Sequence, residues 1–125
     1  MRLGFTKQQR IRRDHDFQRI FRARCSAGSA ELVVYVDHAP DGVGFARLGV
    51  RAGKRLGNAV QRNRARRRVK EAFRLRQHEL PPLDLVCVIR RTGVDLATYE
   101  ELLLRLTRIA ADKLARRKRR ASHRN

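Results

Sequence analysis

Arg62 and Arg64 flank Asn63 and open a stretch, Arg62 to Arg76, that holds eight basic side chains and a single acid, Glu71. On a helix, guanidinium groups at i and i+2 diverge by about 200° and can grip separate phosphates. The amide between them can hydrogen-bond a base edge, a 2′-hydroxyl or a neighbouring loop. Arg66, Arg67, Arg68 and Lys70 extend the charge; long-range attraction and phosphate contacts are expected of them as a group. Upstream, Lys54 and Arg55 lie between Gly53 and Gly57, where free backbone amides can meet phosphate oxygens. The ordinary reading of charged runs is a solvated face, but such a face mixes signs. This one does not, and like charges three or four residues apart repel. The chemistry written here is recognition of a polyanion.

A helix must carry these groups. Ala65, Val69, Ala72 and Phe73 keep the i, i+4, i+7, i+8 spacing of a buried stripe. Asn58 is placed to cap the helix, which should run to about Glu79 and stop before Pro81–Pro82. Val60, Val69 and Phe73 are assigned to its core face. A first helix starts at Asp14, with Phe17, Ile20 and Phe21 at helical spacing and acids at its positive end. Ser26–Ser29 reads as a turn. Leu32–Val36 reads as a strand covered on both faces, and Phe45–Val50 as the next, antiparallel to it. Leu83–Arg90 is a further strand. Thr98–Glu101 forms a capping box before a last helix carrying Leu102, Leu103, Leu106, Ile109 and Ala110. The order helix, strand, strand, helix, strand, helix gives an α+β sandwich, a small sheet packed by helices. One domain over 1–115 and a basic, flexible tail over 116–125 are expected.

Composition narrows the partner. Over 125 residues, 31 Lys+Arg oppose 12 Asp+Glu, a net charge of +19, the electrostatic footprint of nucleic-acid binding. Hydrophobic residues at 42% suffice for a core. No run approaches the roughly 18 apolar residues of a membrane span, and the start lacks a signal-peptide core. A cytoplasmic protein without membrane association is the expectation. Cys25 and Cys87 are too far apart for a metal motif, and Cys87 reads as a buried thiol. The four histidines show no ligand spacing. The acids are scattered or sit at helix starts (Asp14, Asp16, Glu100, Glu101), which argues against a protein-only nuclease.

Phe17, Phe21 and Tyr35 form a second candidate set. Tyr35 points to the opposite sheet face from Val34 and Val36. If the first helix lies on that face, the three aromatics line a cleft in which unpaired bases can stack, a sequence-tolerant contact. Core packing is the competing reading for the phenylalanines.

Three blocks, in order, resemble the protein subunit of bacterial ribonuclease P: Asp16–Phe21, Leu32–Val36, and Leu48–Val50 through Lys54–Arg64 to Glu71–Arg74. The Gly57–Arg64 core is the most specific, and the resemblance covers roughly residues 10–115. It implies a left-handed βαβ crossover around the arginine-rich helix, as in a ribosomal-protein domain, against the right-handed rule for such units. It implies an accessory subunit that binds ribonuclease P RNA through the Arg62–Arg64 region. The 5′ leader of precursor tRNA would lie in the cleft of the first helix and the sheet. Leader removal would then be catalysed by the RNA with Mg²⁺, with no catalytic residue in this chain and no obligatory protein partner. On this reading the RNA contacts are Lys54, Arg55, Asn58, Arg62, Asn63, Arg64, Arg66, Arg67, Arg68 and Lys70, and the leader cleft is Phe17, Phe21 and Tyr35. One departure stands out: the family's usual Ser-Lys-Lys before the helix is Gly53–Lys54–Arg55 here, so a glycine amide replaces a hydroxyl. The alternative is a structural RNA-binding protein of ribosomal type.

Overall fold

The computed structural model describes residues 4–123. Its elements are α1 (Asp14–Ala23), β1 (Cys25–Gly28), β2 (Leu32–His38), β3 (Arg47–Ala52), α2 (Ala59–Arg76), β4 (Leu83–Ile89) and α3 (Leu96–His123). The four strands form one mixed sheet in the order β1-β2-β4-β3. β2 is antiparallel to both β1 and β4, whereas β3 runs parallel to β4.

β3 runs antiparallel to β2, as expected, but β4 inserts between them. A helix the length of α2 is the kind of crossover that parallel pairing requires. Ser26–Gly28 is strand rather than turn: Cys25 and Ala27 bury opposite Val36 and Val34. The turn follows at Ser29, whose Oγ accepts from the amides of Glu31 and Leu32.

Strand alternation splits the core in two. Leu32, Val34 and Val36 of β2 and Leu85, Cys87 and Ile89 of β4 face α2 and α3 and build the larger cluster. The other face presents Tyr35, Val86 and Val88 to Ile11, Phe17, Ile20 and Phe21, so α1 and the segment leading into it cover it. On α2, Ala65, Val69, Ala72 and Phe73 are buried as the spacing demands. Val60 is not core: it is 65% exposed. Five residues of helix place it about 140° from Ala65, outside the stripe.

α3 starts earlier and ends later than its sequence suggests. The Asp95 Oδ1 accepts from the Thr98 amide at 2.8 Å, so Asp95 caps a helix beginning at Leu96 and the Thr98–Glu101 pattern lies inside it. Ile109 sits at the rim of its buried stripe, 43% exposed. Residues 116–123, expected as tail, continue the helix, since the run is rich in good helix formers and contains no breaker. Arg124 and Asn125 lie outside the described residues. Among the described residues, no helix is long and apolar enough to cross a membrane.

Candidate nucleic-acid interface

The approach to α2 is set by one glycine and one cap. Lys54–Leu56 makes a single 3-10 turn, and Gly57 follows at φ 130°, ψ −162°. That φ favours glycine, and a Cβ there would also crowd the Gln61 Oε1 that closes the helix cap. Asn58 then caps the helix: its Oδ1 accepts from the Gln61 amide at 2.9 Å, while Gln61 Oε1 accepts from the Asn58 amide at 3.1 Å. The Asn58 oxygen is thus committed to the helix, leaving its NH₂ outward. Lys54 and Arg55 stand exposed on the turn beside it.

The α2 cations divide by what they touch. Asn63, Arg64, Arg67 and Lys70 lie on the exposed side, away from the Ala65–Val69–Ala72 stripe. Arg62 lies on the stripe side, half-buried, with its Nε enclosed and without an acceptor among the described residues. Arg66 donates to the Asn63 Oδ1 at 2.7 Å and reaches the Ala52 carbonyl. Arg68 donates to the Val94 carbonyl at 2.8 Å, tying α2 to the entry of α3. Desolvation, then the nearby Arg10, Arg66 and Arg12, holds Lys70 below the usual lysine range. A phosphate against that surface would relieve the repulsion.

The aromatic set does come together. The Phe21 and Tyr35 rings meet edge to face, centroids 4.9 Å apart, and both are half-buried. Phe17, 6.4 Å from Phe21, is core. It packs against Gly49, where an added Cβ would fall 2.7 Å from its ring. The Arg51 guanidinium lies over it, 3.8 Å from the ring centroid. Phe17 therefore packs in the core and carries an arginine over its ring, while Phe21 and Tyr35 remain partly exposed beside it.

Sequence reasoning missed the group that fixes α1 on this face. Asp84 is fully buried and accepts from Arg47 through both oxygens, at 2.7 and 2.6 Å, and from Arg19 at 2.6 Å. Arg19 also donates to Asp37 at 2.7 Å and to the His38 carbonyl. The hydrogen bond to Asp84 holds the Arg47 guanidinium above its ordinary range. The available signal was an aspartate inside an otherwise apolar strand, Leu83–Ile89, which demands a buried cation.

Mg²⁺ does not fit this chain's acids. Asp16, Asp37 and Asp84 converge, but Arg19 occupies the space between them. Among the described residues no group of three or more His, Cys, Asp or Glu could hold a metal ion.

A mixed four-stranded sheet with one helix on one face and two on the other, the middle helix charged along its open side, defines a small basic α+β sandwich protein. The ribonuclease P family model matches residues 5–114. The chain is 34% identical to the ribonuclease P protein component of Enterococcus faecalis over 104 residues, covering 82% of this chain and 86% of that one. It is 38% identical to the Streptococcus pyogenes component over 96 residues, covering 77% and 78%. The Staphylococcus aureus RNase P protein structure superposes with TM-score 0.72 at 29% identity, covering 82% and 94%. That of Thermotoga maritima superposes with TM-score 0.67 at 31% identity, covering 80% and 96%. The chain belongs to the ribonuclease P protein family and has its role in that tRNA-processing ribonucleoprotein.

Proposed function

We propose that this chain is the accessory subunit that binds ribonuclease P RNA through the open face of α2 and holds the 5′ leader of precursor tRNA against α1 and the sheet. The observation that carries the reading is the start of α2. A glycine-set turn and a full capping box hold Lys54, Arg55, Arg64 and Arg67 exposed around the start of the helix. Charge-assisted hydrogen bonds to phosphate oxygens satisfy that arrangement, with Arg66 and Arg68 bracing the helix. The Phe21–Tyr35 pair accepts unpaired bases without sequence preference, as suits an enzyme with many different leaders.

Cleavage is assigned to the RNA with its Mg²⁺, and no step passes through a metal or catalytic group on this chain. The place of action is the cytoplasm, and no further protein is needed. The test is precursor-tRNA cleavage at low Mg²⁺ by ribonuclease P RNA with and without the protein. Strong stimulation, with none from the protein alone, is expected. Tight RNA binding without stimulation would replace this reading by a structural RNA-binding role.

A further inference from the structure

We propose that Arg24 and the far end of α3 form a second phosphate-binding groove, which takes the distal part of the leader strand where it leaves the Phe21–Tyr35 cleft. The proposal rests on the leader reading above. The groove, about 260 Å³, is lined by Arg24, Lys113, Arg116, Arg117 and Arg120, all cationic. The fold brings them together in a definite way. The Lys113 Nζ donates to the Ser26 carbonyl at 2.7 Å, and Arg117 donates to the Ala23 carbonyl, docking α3 on the turn that leaves α1. Arg24 occupies that turn at φ 54°, the sole non-glycine residue with positive φ among those described. Glycine is the ordinary choice there. The side chains of Arg24, Arg116 and Arg120 are exposed and make no hydrogen bond or ion pair among the described residues.

Continuity with the cleft names the occupant. Ser26, held by Lys113, is the cross-strand partner of Tyr35. The Arg24 amide donates to the carbonyl of Phe21, the other ring of the aromatic pair. One strand spacing, about 4.8 Å, separates Tyr35 from the sheet edge where the groove begins. Stacking rings followed by a cationic groove is how proteins hold single strands without reading sequence. The α2 face lies elsewhere. The turn before it is tied to the end of β4 by the Thr92–Leu56 hydrogen bond, and it sits at the other sheet edge. Arg24 is level with Arg47 in the sheet register, so six residues of strand and three strand spacings separate it from the Gly53 turn, roughly 20 Å along the strands and about 14 Å across them.

The experiment uses reconstituted holoenzyme and a triple variant, Arg24→Gln, Arg116→Gln and Arg120→Gln, with helix content checked by circular dichroism. Affinity is measured across salt for mature tRNA, for precursor whose leader ends at the cleft, and for precursor extended by several nucleotides. Native protein should bind the extended leader more tightly than the short one. The variant should lose about tenfold on the extended leader alone, with the salt slope lowered by about two for three lost phosphate contacts. The corresponding triple lysine variant should keep most of the gain. The proposal is overturned if extension adds nothing, or if the variant keeps the gain. It is equally overturned if assembly with the catalytic RNA and all substrates weaken together, since the groove would then hold that RNA. A Tyr35→Ala arm separates the two readings. If it discriminates precursor from mature tRNA while the triple variant does not, only the groove fails; if it does not discriminate, the cleft reading fails too.

Discussion

Arg47 and Asp84, facing each other across β3 and β4, form a two-bonded fork with Nε–Oδ1 at 2.7 Å and Nη2–Oδ2 at 2.6 Å. Arg19 completes the site from α1, so one carboxylate joins two strands and a helix. Removing one partner of such a group leaves charge stranded in a poorly solvated place. Asp84→Ala should destabilise the fold by about 3–5 kcal/mol, read from the urea midpoint. A loss below about 1 kcal/mol, the range of surface pairs, would contradict the bracing role.

The entry to α2 predicts a separable effect. Asn58→Ala removes the cap and should cost about 1 kcal/mol. Gly57→Ala adds a methyl at a φ of 130°, against Gln61, and breaks the same capping box. Both should weaken RNA binding although every arginine remains. RNA titration alongside thermal melting tests this; normal affinity in a destabilised Gly57→Ala protein would show that the turn does not aim the cations.

Burial pushes the Cys87 thiol up to about 12. An unfolded thiol ionises near 8.5, so the folded value is raised and unfolding releases a proton at alkaline pH. The stability linked to this group is complete below about pH 8.5 and is lost as pH climbs toward about 12. Cys87→Val should flatten that alkaline loss. Thiol labelling supplies the second readout: Cys87 should react only with unfolded protein, and rapid labelling of the native state would refute its burial.

Salt dependence separates the α2 arginines. Each lost phosphate contact lowers the slope of log K against log salt by about one. Arg64→Gln and Arg62→Gln should each do so on binding to ribonuclease P RNA. Arg68→Gln should instead lower the melting temperature, because its guanidinium holds the Val94 carbonyl. Equal slopes in all three variants and the parent would remove the phosphate role.

How legible the molecule was depended on whether a signal was local. The α2 stripe, its Asn58 cap and its stop before Pro81–Pro82 follow from neighbours in sequence, and all appear in the fold. Opposite faces for Tyr35 and Val34 follow from strand alternation alone. Pairing is different: the sequence pattern leaves open which strand β3 joins, and its place beside β4 is set by contacts far apart in the chain. Val60 misled because its apolar character was read without its helical angle. The Arg19–Asp84–Arg47 site draws on three elements and left only one trace, an acid within an apolar strand.

Phe17 and Tyr35 give the sharpest test of the cleft, because burial assigns them different fates. Phe17 packs on Gly49 beneath Arg51, so Phe17→Ala should destabilise the fold by about 3–5 kcal/mol. Tyr35 is half-buried with its ring meeting Phe21, so Tyr35→Ala should leave a folded protein. That variant should lose about 1–3 kcal/mol of precursor binding for each base that no longer stacks. Mature tRNA, having no leader, should bind the two holoenzymes alike. Equal losses on precursor and mature tRNA would make Tyr35 a packing residue and leave the leader without its platform.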